Sequence, residues 1–286
     1  MIKKVAILTN QSRDVDLVVT RRLVQLFKDC GVSTVLEAPL RDRDWPEGTE
    51  FTSFSDADLI MALGGDGTFL TAVHYSEEAD LPIIGVNLGS VGFLMEIDPA
   101  ELAEAVHHIV NEEYEVEKRM MLNVRLEDDQ GNPIVEAEAL NDIVIYRGDN
   151  SRILTLDLAI DDLDVERVPG DGMIVSTPTG STAYSLAAGG PIVHPLMQMT
   201  LITPISPHTL HNRTYIARPD SAVILTVNPY PNGAKLSVDG RLEYTMKSGY
   251  RAVIRRAKRE LRLIRLGKDE FYQILPDKIH MRGRSR

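Results

Sequence analysis

Between Leu59 and Val73 the chain reads LIMALGGDGTFLTAV, in which Gly64, Gly65 and Gly67 surround one aspartate, Asp66, between two apolar runs. Glycines at a strand-to-helix turn let the backbone approach a ligand closely, and phosphate is a common one. A carboxylate repels phosphate. Asp66 therefore either holds a metal ion or takes a proton from a hydroxyl. The plain alternative is a helix N-cap, a position that aspartate fills well.

Three further stretches carry residue types suited to ligand work. GVNLGSVGFL (Gly85–Leu94) is a second strand-like run ending in glycines, and its Phe93 either stacks on a base or fills core space. LNDIVIYRG (Leu140–Gly148) places Asn141 and Asp142 against an apolar run. Adjacent side chains on a regular strand point to opposite faces, so a bulge or a strand end is needed for both to meet one ligand. PGDGMIVSTPTGSTAYSLAAGG (Pro169–Gly190) brackets Asp171 with glycines and then crowds Thr177, Thr179, Ser181 and Thr182 around a turn. Hydroxyls and helix-start amides there suit a polar or phosphorylated ligand. A serine nucleophile is the rival, but TGSTA is not the G-x-S-x-G elbow. His194 and His208, the nearest histidines, read as ordinary surface or core residues.

The elements that position these residues follow two rhythms. Over roughly the first 115 residues strand-like runs alternate with helical spacing. Val5–Thr9 reads as a strand; Val15, Val18, Val19, Leu23, Leu26, Phe27 and Cys30 follow at helical spacing, with Gly31 closing the helix. VSTVLEA, ADLIMAL and PIIGVNL supply three more strands, and Asp98-Pro99-Ala100-Glu101 opens a helix carrying Leu102, Val106, Ile109 and Val110. Buried strands alternating with helices imply a mostly parallel sheet covered on both sides, a Rossmann-like α/β domain. After Tyr114 the period becomes two: Leu122, Val124 and Leu126, a DDQGNP turn, then Val135, Ala137 and Ala139, with Leu154, Leu156, Leu158 and Ile160 repeating the pattern. That pattern predicts an all-β, sandwich-like second domain. The expected boundaries are 1–116 for the α/β domain and 117–266 for the β-rich one, with the tail 267–286 returning to the first.

Bulk properties narrow the partners. The 286 residues carry a formal net charge of −11, with 43% hydrophobic and 26% charged, so a nucleic-acid-binding surface is not expected. The basic stretch Tyr250–Arg265 interleaves its charges with apolar residues, as strands with a solvated face do. Cys30 is the single cysteine, which excludes an intrachain disulfide or a cysteine metal cluster. No run approaches the ~18 apolar residues of a membrane span, and the first apolar run is too short for a signal peptide. A cytoplasmic protein is expected.

GGDGT at Gly64–Thr68, LND at Leu140–Asp142 and DGMIVSTPTGSTAYSLAAGGPI at Asp171–Ile192 resemble the NAD kinase family in order and spacing. SVDG (Ser237–Gly240) and the FYQILPDKI tail add to the likeness. The resemblance implies transfer of the ATP γ-phosphate to the 2′-hydroxyl of the adenosine ribose of NAD, with Asp66 as the base and a divalent cation, Mg²⁺, on the ATP phosphates. It implies that Gly67 gives backbone approach and that Phe93 lies beside the adenine. Asn141 and Asp142 would meet the adenine and its ribose. Asp171 and the segment Thr182, Ala183, Tyr184, Ser185, Leu186 and Ala187 would line the nicotinamide side, with Arg152 and Arg241 also in the pocket. Family assemblies share that pocket between subunits, which implies a homodimer or homotetramer. Three departures stand out: Asn-Asp replaces the common Asn-Glu, Thr71 and His74 stand where some relatives carry arginines, and there is no Walker-type lysine. Two rival readings use the same residues: a diacylglycerol-type lipid kinase, which shares GGDGT, and a dinucleotide-binding sensor without catalysis.

Overall fold

Lys4–Thr9 forms β1, followed by β2 (Ser33–Leu36), β3 (Thr49–Glu50), β4 (Leu59–Gly64) and β5 (Ile83–Asn87). These strands pair in parallel in the order β3-β2-β1-β4-β5, with Ala6 opposite both Val35 and Ile60. This computed structural model describes residues 2–89, 92–148, 152–209, 212–267, 271–273 and 275–276. The chain divides into two compact units, one running through Lys118 and resuming at Leu261, the other spanning Arg119–Glu260.

In the first unit β1 connects to β2 through α1 (Val18–Asp29), and β4 connects to β5 through α2 (Asp66–Tyr75). The two crossovers leave in opposite directions from neighbouring strands. The carboxyl ends of β1 and β4 therefore form a topological switch point, where open parallel sheets bind ligands. The helix α3 (Leu102–Val110) follows a short turn in which Asp98 and Glu101 form a reciprocal capping box. One buried cluster joins Val5 and Ile7 of β1, Met61 and Leu63 of β4, Leu23 and Phe27 of α1, and Val106 and Ile109 of α3.

The start of α1 departs from its apolar spacing. Cys30, the C-cap at the far end, is exposed; at the start Val15 and Val18 are 68% and 64% exposed, while Leu17 is 1% exposed. The cause is local backbone. Asp16 and Leu17 take left-handed φ angles of 56° and 58°, which turns Leu17 inward in place of its neighbours. The buried Asp14 carboxylate accepts the Val19 and Thr20 amides at 2.9 and 2.8 Å and so caps the helix.

The second unit is antiparallel. Its first layer runs β10 (Leu163–Gly170), β9 (Leu154–Ile160), β14 (Val223–Val227) and β17 (Arg251–Arg265), with the hairpin of β6 (Glu115–Glu127) and β7 (Pro133–Ala139) also joined to β17. Its second layer runs β13 (Tyr215–Ala217), β12 (Thr200–Ile205), β11 (Gly172–Ser176), β8 (Asp142–Tyr146), β15 (Ala234–Val238) and β16 (Leu242–Met246). Leu122, Leu156, Leu158 and Leu225 from one layer and Ile143, Ile145, Val175 and Leu236 from the other share one buried cluster. Alternation explains this: every second residue of β9 faces inward, as the pattern of Leu154, Leu156 and Leu158 requires. The basic stretch is a single strand, β17, whose Ala252, Ile254 and Ala257 turn inward while Arg251 and Arg255 are exposed. Of the tail, Phe271–Gln273 and residues 275–276 are helical, and 268–270, 274 and 277–286 lie outside the described residues.

Candidate active site

The switch point opens into a cleft of about 520 Å³ lined by Thr9, Asn10, Arg13, Glu37, Asp66 and Thr68 among others, with Gly65, Gly67 and Gly92 in its wall. Gly65 is the N-cap of α2 and Asp66 is the helix's first residue, so Asp66 is not the cap. Its carboxylate instead accepts the backbone N–H of Phe93 and of Leu94, each at 3.2 Å. Those two bonds tie the turn after β4 to the turn after β5 and fix where the carboxylate points. Gly92 is part of the same device: a Cβ there would overlap Asp66 Oδ1 and stand 2.9 Å from Cγ. Glu37, at the end of β2, accepts the Tyr75 hydroxyl at 3.3 Å, and burial pushes its carboxyl above the usual range.

A second pocket, of about 470 Å³, lies in the β-rich unit and brings together Asn141, Asp142, Ala183, Tyr184, Asp239 and Arg241. Asn141 stands just outside β8 and Asp142 is its first residue, so the strand end lets both line one pocket. The backbone there is held from two sides. Asp239 accepts the amides of Leu140, Asn141 and Asp142 at 2.8, 2.8 and 3.0 Å. Thr177 donates its hydroxyl to the Leu140 carbonyl at 2.6 Å and its amide to the Asn141 carbonyl at 2.9 Å. Asp142 is 5% exposed. Burial first, then the Asp239 carboxylate, push its carboxyl up to about 7, against a hydrogen bond from the Tyr184 amide. Burial also raises the Asp239 carboxyl, although its three amide donors oppose the shift.

Of the remaining sequence candidates, some line these two sites and others do not. Asp66 and Gly67 line the first cleft, while Phe93 lies outside its lining and gives its amide to Asp66. Asp171 lies outside the second pocket's lining and pairs with Arg147 at 3.0 Å. Arg152 is exposed, and its carbonyl accepts the Tyr230 hydroxyl at 2.8 Å. Within Thr182–Ala187, Ala183 and Tyr184 reach the pocket. Thr182 and Ser185 are buried, the latter bonded to the Thr203 hydroxyl at 3.1 Å, and Ala187 is exposed.

Three side chains that the motifs did not single out belong to these sites: Arg13, Glu37 and Asp239. The first two follow the ends of β1 and β2, where the strand-end rule for parallel sheets would have directed attention. Asp239 sits in SVDG with φ +50°, a conformation that aspartate tolerates in turns.

A carboxylate held by backbone amides at a glycine-walled switch point is compatible with phosphoryl transfer. Residues 5–114 match the family model of the ATP-NAD kinase N-terminal domain and residues 140–266 that of the ATP-NAD kinase C-terminal domain. The chain is 37% identical to a NAD kinase of Acetivibrio thermocellus over 99% of both chains. It is 44% identical over 222 residues, 78% of both chains, to one of Heliobacterium modesticaldum. Among solved structures, the yeast NADH kinase complexed with NADH superposes with a TM-score of 0.89 at 24% identity, covering 100% of this chain and 89% of that one. A NAD kinase from Archaeoglobus fulgidus in complex with ATP gives 0.77 at 22% identity, covering 97% and 99%. The chain belongs to the NAD kinase family. It is a phosphotransferase, and its α/β and antiparallel units are the fold of those kinases.

Proposed function

We propose that the chain transfers the γ-phosphoryl group of ATP to the 2′-hydroxyl of the adenosine ribose of NAD, giving NADP and ADP, with Asp66 as the base. The ribose oxygen forms its bond to the γ-phosphorus as the bond to the β–γ bridging oxygen breaks. ADP leaves with that electron pair, and the hydroxyl proton passes to Asp66. The observation that supports this reading is the Asp66 carboxylate, oriented by the Phe93 and Leu94 amides beside glycines that admit phosphate.

The residue roles in this reading divide between the units. Gly67 gives backbone approach and Phe93 lies beside the adenine. Asn141 and Asp142 hold the adenine and its ribose, with Ala183, Tyr184 and Arg241 in the same pocket. Asp171, Arg152, Thr182 and Ser185–Ala187 serve the nicotinamide side, and dinucleotide recognition belongs to the β-rich part, 117–266. A divalent cation, Mg²⁺, accompanies ATP. With Asp66 left to take the proton, Glu37 in the first cleft suits an ion bound through one carboxylate and substrate phosphates. When bound, it offsets phosphate charge near Asp66. Among the described residues the cluster of three metal-capable side chains, His107, His108 and Glu113, lies apart from that cleft on α3 and the turn after it.

We place the enzyme in the cytoplasm as a homodimer or homotetramer. No helix among the described residues is long and apolar enough to cross a membrane, and light scattering on the purified protein measures the assembly. The activity test is direct: pure protein with NAD, ATP and Mg²⁺, assayed for NADP by an NADP-specific dehydrogenase. Accumulating NADP supports the proposal. NAD binding without NADP would make the chain a sensor and overturn it.

A further inference from the structure

We propose that Arg13 is the donor-side phosphate contact, its guanidinium holding the anhydride-linked phosphates of the nucleoside triphosphate in the switch-point cleft. This rests on the kinase reading above and extends it to the donor, for which the sequence offers no Walker-type lysine. Among the described residues of that cleft's lining Arg13 is the one cation, beside the carboxylates of Glu37 and Asp66.

The guanidinium lies across the turns that end two neighbouring strands. A Cβ built on Gly65, after β4, would stand 2.7 Å from Arg13 Nη1, and one on Gly89, after β5, would overlap the same atom. Those two bare positions form a seat for the arginine head, so the glycines that read as phosphate approach also admit this side chain. Its backbone is fixed as well. The amides of Arg13 and Asp14 both reach the Asn10 carbonyl at 2.9 Å, and the Asn10 amide reaches the Leu63 carbonyl at 2.9 Å. The Asn10 side chain donates to the Thr68 hydroxyl at 3.3 Å, and the Asp14 carboxylate caps α1.

Among the described residues the head has no acidic partner. No ion pair or hydrogen bond to the Arg13 guanidinium occurs among the described residues, while Asp66 is bonded to amides and Glu37 to Tyr75. The side chain is exposed and seated over Gly65 and Gly89. A planar fork of N–H donors fits phosphate oxygens two at a time and stays charged at any working pH. Arg13 makes and breaks no covalent bond in this role; it offsets charge on a tail that two carboxylates would otherwise repel.

The test compares wild type, Arg13→Gln and Arg13→Lys with ATP and NAD varied separately. Loss of a charge-assisted phosphate contact should raise the KM for ATP about 10- to 100-fold, with the KM for NAD within about twofold. Arg13→Lys should recover part of the loss, because the charge survives without the fork. Calorimetric titration of inorganic tripolyphosphate into each protein reads the same contact without turnover, and Arg13→Gln should weaken it by a similar factor. An unchanged KM for ATP in Arg13→Gln, or an effect carried by the KM for NAD, overturns the assignment. Wild type that makes no NADP refutes the kinase reading instead, and the tripolyphosphate titration still decides the role of Arg13.

Discussion

Replacing Asp142 by asparagine should move stability and substrate affinity in opposite directions. The carboxyl is buried beside Asp239 and sits at about 7 in the folded chain against an ordinary value of 3.8. Between those two values the native state keeps a proton that the unfolded chain has released, so stability falls as pH rises through this window and levels off above about 7. About three pH units at ~1.4 kcal/mol each bounds the cost at about 4 kcal/mol. Asparagine does not ionise, and its carbonyl still accepts the Tyr184 amide. The variant should therefore melt higher at about pH 8, by on the order of 10 °C at that bound. The gain should shrink as pH falls toward 4 and vanish well below the ordinary value of 3.8, where wild type is protonated in both states.

Affinity should go the other way. An ionised carboxylate accepts two vicinal hydroxyls at once, whereas asparagine turns one acceptor into a donor. Hydrogen bonds to a charged group contribute roughly 1.5–3 kcal/mol, so the KM for NAD should rise about 10- to 100-fold with little change in the KM for ATP. In wild type the same KM should fall about tenfold from pH 6 to pH 8 as Asp142 ionises, and the variant should lack that slope. Asp142→Glu should rank between the two, since it restores the charge. Calorimetric melting and NAD titration at saturating ATP measure both effects. An asparagine variant that melts lower and binds NAD as tightly as wild type would refute both the burial argument and the ribose assignment.

Four other substitutions probe the same machinery. Asp66→Asn should lower kcat by at least ~10²-fold while NAD still binds, as loss of a general base does, and near-wild-type turnover would sink that role. Gly92→Ala should lower kcat as well, because the new methyl would displace the Asp66 carboxylate; a single-turnover assay with an unchanged rate would show that this orientation is immaterial. Tyr184, 46% exposed at the pocket, should on conversion to alanine weaken NAD binding by more than any fall in Tm explains. Asp239→Asn should lower Tm by several degrees: its remaining oxygen can keep the Asn141 and Asp142 amides, but its NH2 would face the Leu140 amide and leave that donor unsatisfied. It should also shift the midpoint of the NAD pH profile below 7, because the neighbouring charge that raises Asp142 is gone.

Much of the scaffold was legible because it rests on local periodicity. β9 turns Leu154, Leu156 and Leu158 inward as alternation demands, and Asp98 and Glu101 form the capping box that their spacing announces. Where the reading slipped, a few backbone angles decided the matter. Helical spacing counts Val15 and Val18 with the buried face, but left-handed turns at Asp16 and Leu17 reset the register before α1 begins. No pattern of apolar residues encodes that reset. It follows from Asp14, whose buried carboxylate takes the Val19 and Thr20 amides and dictates where the helix starts.

The candidate site shows the same division at longer range. Asn141 and Asp142 could be picked out because they interrupt an apolar run with groups that are costly to bury without a partner, Asp66 because it is a carboxylate among glycines, and Tyr184 through the family likeness of its motif. Arg13 and Asp239 interrupt nothing. Arg13 lies in a polar loop and acquires meaning from the turns at Gly65 and Gly89, more than fifty and seventy residues further on. Asp239 sits in an ordinary turn and acts on amides 97 to 99 residues away in sequence. Both residues work on backbone rather than on a side-chain motif, so only the parallel strand order and the β8–β15 pairing bring them to their targets. A carboxylate that binds three consecutive amides also explains how Asn141 and Asp142 share a pocket: the amides are turned toward Asp239, which holds the strand end in place and raises the pKa of the carboxyl it positions.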